Sequence, residues 1–118
     1  MTRLSIEICG ITLRNPVIAA SGTFGYGVEF AKQVDLNRLG GLVVKGLSRE
    51  PIEGNPPPRL WETQAGMINS VGLQNIGVHA FVAEKLPLLR QYKTAVFANV
   101  FGYAVVDLVE VVRVLNDH

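Results

Sequence analysis

Four short stretches of this 118-residue chain carry residue types that bind polar ligands: Ser21-Gly22, Lys45-Gly46, Asn69-Ser70-Val71-Gly72-Leu73-Gln74-Asn75 and Asn99. A hydroxyl beside a glycine offers a hydrogen bond and close backbone approach. Lys45 supplies a fixed cation where negative charge develops, and Gly46 leaves space beside it for a flat ring. Asn99 donates and accepts, which suits a heteroaromatic edge. The amide-rich run from Asn69 to Asn75 can hold a planar, imide-bearing substrate through side-chain amides and exposed N–H groups. Taken together these groups suit a polar, anion-bearing cofactor with a small planar partner. Simpler readings stand beside each: a strand-end lysine snorkels into solvent, a strand-end asparagine satisfies loop backbone, and an amide-rich run makes a turn.

The glycines need separate weighing. Gly22, Gly25 and Gly27 are spaced G-x-x-G-x-G, the reverse of the dinucleotide-binding order. That fold also places an acidic residue at the end of its second strand, where this chain has Lys45. The nicotinamide-dinucleotide reading therefore fails on two counts. Gly25 and Gly27 stay open as parts of a tight turn, while Gly22 fits close approach of a ligand. Cys9 is the one cysteine, which excludes an intrachain disulfide and a multi-cysteine metal site, and nothing near it suggests catalysis. His79 and His118 have no partners at metal or triad spacing and read as solvent-facing.

The elements that would position these groups follow from periodicity. Residues 3–14 alternate apolar and polar around Gly10, the pattern of a β-hairpin. Pro16 to Ala20 is continuously apolar, as expected of a strand covered on both faces, and leads into the glycine loop Ser21 to Gly27. A helix is expected from about Glu29 to Leu39, then a second buried strand from Leu42 to Gly46. Residues 47–76 form a long loop, ordered by Trp61, Met67, Ile68, Val71 and Leu73 and with room for a hairpin. A helix begins near Val78, with Pro87 as a kink or second start. Ala95 to Val100 reads as a third buried strand, and Tyr103 to Asp117 as a largely buried amphipathic helix. Doubly apolar strands alternating with helices define an α/β fold with a parallel sheet. In such folds ligands sit beyond the carboxyl ends of the strands, where Ser21, Lys45 and Asn99 fall.

Composition agrees. Hydrophobic residues make up 48% of the chain, and mean hydropathy is +0.27, enough apolar material for a core and unlike a disordered segment. Eleven basic residues against ten acidic give a formal charge of +1, without the basic footprint of a nucleic-acid binder. No apolar run approaches the ~20 residues of a membrane span, and the first residues lack the apolar core of a signal peptide. A cytoplasmic protein with no membrane partner is the expectation.

Several motifs occur together and in order: Asn15-Pro16-Val17-Ile18-Ala19-Ala20-Ser21-Gly22-Thr23-Phe24-Gly25, Val44-Lys45-Gly46, Gly54-Asn55-Pro56-Pro57-Pro58-Arg59, Gly66-Met67-Ile68-Asn69-Ser70-Val71-Gly72-Leu73-Gln74-Asn75 and Ala98-Asn99-Val100. The set resembles the amino-terminal part of class 1 dihydroorotate dehydrogenases. The Thr23 to Gly27 loop and the Glu84-Lys85-Leu86-Pro87 run look most like the B-type catalytic subunit.

The resemblance implies that residues 1–118 are part of an FMN-binding (β/α)₈ TIM barrel: a hairpin plus about three βα units. The implied activity is oxidation of dihydroorotate to orotate in pyrimidine (UMP) biosynthesis. Carbon 5 of the substrate gives up a proton and carbon 6 a hydride. By the same resemblance Ser21, Gly22, Lys45, Gly46 and Asn99 contact FMN, while Lys45, Asn69, Ser70, Val71, Gly72 and Leu73 contact the substrate. Electrons pass to NAD⁺ through a partner subunit carrying FAD and a [2Fe–2S] cluster, in a heterotetramer built on a homodimer. The family's catalytic base is a cysteine in an Asn-x-Ser-Cys-Pro-Asn motif expected beyond His118, so these residues alone are expected to be inactive, without tight flavin binding. Alternative readings are another FMN barrel, such as a dihydropyrimidine dehydrogenase or a tRNA-dihydrouridine oxidoreductase, and a non-catalytic α/β binding module.

Overall fold

The computed structural model describes residues 4–118. Arg3, the first residue of the alternating stretch, and the Met1-Thr2 start lie outside the described residues. Strands β1 (Ile6–Ile8) and β2 (Ile11–Leu13) pair antiparallel in the expected hairpin, with Ile6 opposite Leu13 and Ile8 opposite Ile11. Cys9 and Gly10 make the turn with φ of 50° and 79°, the two positive values whose twist matches the flanking strands. Leu13 is buried and Cys9 lies exposed at the tip.

The first parallel strand, β3 (Ile18–Ala19), is shorter than the Pro16–Ala20 run, and Val17 is exposed. β3 pairs with one strand among the described residues, and its two residues are half-buried. A four-residue helix, α1 (Ser21–Phe24), follows inside the glycine loop. The helix expected over 29–39 is instead two 3₁₀ turns, Val28–Phe30 and Leu36–Arg38. Polar side chains divert the backbone there. Glu29 accepts from the Tyr26 N–H at 3.1 Å, and Asp35 accepts from the Asn37 N–H at 3.0 Å. Such local bonds compete with helix propagation.

Strand β4 (Gly41–Val43) pairs parallel with β3, Ile18 opposite Gly41. A Cβ at Gly40 would overlap the Asn15 carbonyl oxygen, so the glycine just ahead of β4 is set by backbone approach, while at Gly41 a Cβ would meet the Phe97 ring. The long excursion contains a hairpin of β5 (Leu60–Thr63) and β6 (Gly66–Asn69). Its apolar side chains are not buried: Trp61 is 67% exposed, and Met67 and Ile68 are comparably open. Its order comes from backbone pairing and polar ties, not from the apolar burial expected of Trp61, Met67 and Ile68.

The next helical stretch has three parts: α2 (Gly77–Ala80), a π turn (Phe81–Lys85) and α3 (Leu86–Leu89). Pro87, in the first turn of α3, has no N–H for the carbonyl four residues back. The chain widens by one residue to absorb the gap, and the Leu86 N–H reaches the Phe81 carbonyl. Strand β7 (Ala95–Phe97) then pairs parallel with β4, giving the order β3-β4-β7. Helix α4 (Val105–Asn116) packs on α2. It is not largely buried: Val111 is enclosed, whereas Val105 is 76% exposed and Val106, Val109 and Val112 are open. Hydropathy reported its composition, and among the described residues one neighbouring face covers it.

Leu36, Leu42, Val44, Leu47, Val78, Phe81, Leu89 and Val111 form the core with Tyr26. The Tyr26 hydroxyl accepts the Ile76 N–H at 3.1 Å, its ring lies 5.9 Å from that of Phe81, and Lys85 Nζ stands 5.9 Å from its centroid. Burial pushes the phenol above its ordinary 10.0; the Ile76 N–H opposes this and Glu29 adds to it. Tyr26→Phe leaves the half-buried Ile76 N–H without that acceptor, for an expected loss of about 1 kcal/mol at neutral pH. A phenol with a raised folded pKa contributes stability below its unfolded pKa, and that contribution is lost as pH rises through the folded value. The wild-type advantage over Tyr26→Phe should therefore shrink above pH 10.0 in paired thermal melts.

Candidate active site

The carboxyl ends of the three parallel strands are pinned to one another. The Lys45 N–H donates to the Gly25 carbonyl at 2.8 Å, fixing the turn after α1 against the end of β4. The Val44 N–H donates to the Phe97 carbonyl at 3.0 Å and the Leu47 N–H to the Asn99 carbonyl at 2.8 Å. The Phe101 N–H donates back to the Leu47 carbonyl at 3.1 Å. These bonds continue the parallel ladder past β4 and β7 and bring Ser21, Lys45 and Asn99 to one rim.

The amide strip reaches the same rim by polar ties. Asn55 holds it from one side: its Nδ2 donates to the Ser70 carbonyl at 2.8 Å and to Ser70 Oγ at 3.0 Å, and its N–H donates to the Val71 carbonyl at 3.0 Å. Arg59 holds the other end, its Nη2 donating to Gln74 Oε1 at 2.8 Å while Nη1 bonds the Glu53 and Asn55 carbonyls. A Cβ at Gly54, where φ is 79°, would collide with the Val71 carbonyl oxygen. The Gly-Asn-Pro-Pro-Pro-Arg turn is thus a bracket for the strip.

A cavity of about 590 Å³ opens between rim and strip. Ser21, Gly22, Lys45, Gly46, Asn69, Ser70, Val71, Gly72, Leu73 and Asn99 all line it, so the structure brings these ten residues to one place, while Asn75 at the end of the amide run stays outside the lining. Gly25, Gln74 and Phe101 complete the wall. Gln74 belongs to the amide run. Phe101 lies two residues beyond Asn99, and the period-two pattern of an extended segment is the signal that could have found it. Lys45 is the one formally charged residue in the lining. Among the described residues no group of three His, Cys, Asp or Glu could hold a metal, and His79 and His118 are exposed as expected. No described helix is long and apolar enough to cross a membrane.

The donor set tests whether a flavin fits. The volume lies within the range of ordinary ligand clefts. Its wall combines one cation, amides that donate and accept, and no carboxylate, which suits an anionic, imide-bearing ring system. At Gly46 a Cβ would stand 3.2 Å from the Phe101 ring and 3.6 Å from Asn99 Nδ2, so a side chain there would fill the angle between them. The residues present fit the flat, imide-bearing ring of a flavin.

Fold and cavity define an α/β protein with an open cavity at the carboxyl ends of its parallel strands, the place where such folds take ligands. The chain belongs to the dihydroorotate dehydrogenase family, whose pattern it matches over residues 3–118. It is 78% identical over 116 residues to a Solibacter usitatus protein provisionally named dihydroorotate dehydrogenase A (fumarate), covering 98% of this chain and 38% of that protein. It is 53% identical over 117 residues to the dihydroorotate dehydrogenase B (NAD(+)) catalytic subunit of Thermodesulfovibrio yellowstonii, covering 99% of this chain and 39% of that protein. The chain therefore spans under two-fifths of the length of these relatives. A crystal structure of ligand-free DHODH from Eimeria tenella shares the fold, with a TM-score of 0.67 at 22% identity over 96% of this chain and 35% of the other.

Proposed function

We propose that the whole protein oxidises dihydroorotate to orotate with FMN as its cofactor, in pyrimidine biosynthesis, and that residues 1–118 form the first part of its TIM barrel. The observation that carries this reading is the single cavity in which a lone cation, Lys45, faces the Asn69–Leu73 strip. When bound, FMN supplies a two-electron acceptor. Ser21, Gly22, Gly46 and Asn99 bind and orient it, and the absence of a side chain at Gly46 admits the flat ring. Lys45 stabilises negative charge between cofactor and substrate. Asn69, Ser70 and the main chain of Val71 to Leu73 hold the substrate's amide edges and carboxylate.

For the electron acceptor we take the B-type reading, in which a partner subunit with FAD and a [2Fe–2S] cluster passes electrons to NAD⁺. The Thr23–Gly27 loop, the Glu84–Pro87 run and the names of several relatives at about half identity support it. The name of the 78% identical relative favours a second reading, with fumarate as acceptor. Purified whole protein decides both points. Released flavin should be FMN, and orotate should form with NAD⁺ only when the electron-transfer subunit is present. Orotate formation driven by fumarate in the catalytic protein alone would instead select the second reading, and protein without flavin would support a binding module.

A further inference from the structure

Asn75 follows the amide strip and is 5% exposed, yet it does not line the cavity. Its Oδ1 accepts from the Gly77 N–H at 2.8 Å and lies 3.3 Å from the Ser48 N–H and 3.1 Å from Ser48 Oγ. Its Nδ2 donates to Ser48 Oγ at 2.9 Å and to the Leu73 carbonyl at 3.0 Å. The Ser48 hydroxyl proton has a separate acceptor, the Glu50 carbonyl at 2.6 Å. Backbone bonds of 2.9 Å in both directions tie Asn75 to Ile52. One carboxamide thus joins the segment after β4, the start of α2 and the last part of the strip.

The tie to Leu73 matters because of that residue's backbone. Leu73 has φ of 56°, in the left-handed region that a side chain with Cβ rarely enters. Leu73 also lines the cavity. Its side chain is exposed and supplies no packing to hold that conformation, whereas the half-buried Asn75 Nδ2 bond ties its carbonyl. We propose that Asn75 is a positioning residue for substrate binding: its carboxamide locks Leu73 in the left-handed conformation and so sets the shape of the cavity wall. The proposal rests on the reading of the cavity as the dihydroorotate site. An asparagine is required at this position. An aspartate would keep the Oδ acceptors for Ser48 and Gly77, but would turn a carboxylate oxygen toward the Leu73 carbonyl.

The test uses the whole FMN-loaded protein with Asn75→Asp, Leu73→Gly and the double variant. Asn75→Asp should raise the KM for dihydroorotate and the Kd for orotate about tenfold, the size of one lost hydrogen bond. FMN content and the rate of flavin reduction at saturating substrate should stay within about twofold. Deuterium uptake over residues 70–77 should quicken about tenfold while the 60–69 hairpin is unchanged. In the Leu73→Gly background the same Asn75→Asp change should alter orotate affinity less than twofold, because glycine takes positive φ without a tether. Equal losses in both backgrounds would mean general destabilisation and overturn the proposal, as would an unchanged KM with unchanged uptake. A wild-type protein that binds no orotate would overturn the functional reading instead. Uptake then decides the positioning alone, faster exchange supporting it and unchanged exchange refuting it.

Discussion

Replacing Lys45 by alanine in the whole protein should slow flavin reduction by dihydroorotate about 10²- to 10³-fold, the usual cost of removing one preorganised group from a developing charge. The side chain is half-buried and carries the cavity's lone formal charge. Its backbone is held independently, since the Lys45 N–H bonds the Gly25 carbonyl and the Val44 N–H bonds the Phe97 carbonyl. The substitution should therefore remove the charge without moving the strand end, leaving the melting temperature close to wild type. Lys45→Arg should not restore the rate, because a planar guanidinium does not occupy the place of a compact ammonium. Single-turnover mixing followed by flavin absorbance measures the effect directly. An unchanged rate would take Lys45 out of the chemistry and leave it as a strand-end lysine.

The second large effect concerns what holds the rim in place. Phe81, the first residue of the π turn, is fully enclosed in the core and meets the Tyr26 ring at 5.9 Å. Phe81→Ala should destabilise the whole protein by about 3–5 kcal/mol, combining lost transfer free energy with an unfilled cavity. Because Tyr26 also accepts the Ile76 N–H, loss of packing there should loosen the end of the amide strip and weaken orotate binding as well. Denaturant titration with and without orotate checks both effects. A loss below about 1 kcal/mol would show that the π turn does not bear on the core as described.

Much of this arrangement was legible from residues alone, for identifiable reasons. Period-two alternation located the β1–β2 hairpin, and continuous apolar runs located β3, β4 and β7. The rule that ligands gather at parallel strand ends then selected Ser21, Lys45 and Asn99. Density of amides marked the Asn69–Asn75 run, and the family resemblance narrowed it to Asn69–Leu73. Elsewhere the deciding interactions were side-chain bonds that periodicity does not record, some local and some long-range, or depended on the surface lying opposite. Glu29 and Asp35 each bond a nearby N–H and replace the expected 29–39 helix with 3₁₀ turns. The valines of α4 record hydropathy, but burial depends on what lies opposite, and most of them remain open. The Arg59–Gln74 and Asn55–Ser70 ties span 15 residues each and leave no periodic trace. The left-handed backbone of Leu73 is invisible for the same reason, since nothing about leucine announces it.

The central claim is that this cavity presents dihydroorotate to a bound flavin. Its most direct test is an anaerobic titration of the whole, oxidised protein with dihydroorotate and, separately, with dihydrouracil, in the absence of any second acceptor. The account predicts that dihydroorotate bleaches the flavin band stoichiometrically, releasing one orotate for each flavin reduced, while dihydrouracil leaves it oxidised. Bleaching by dihydrouracil with no response to dihydroorotate would contradict the account and assign the cavity to a different dihydropyrimidine.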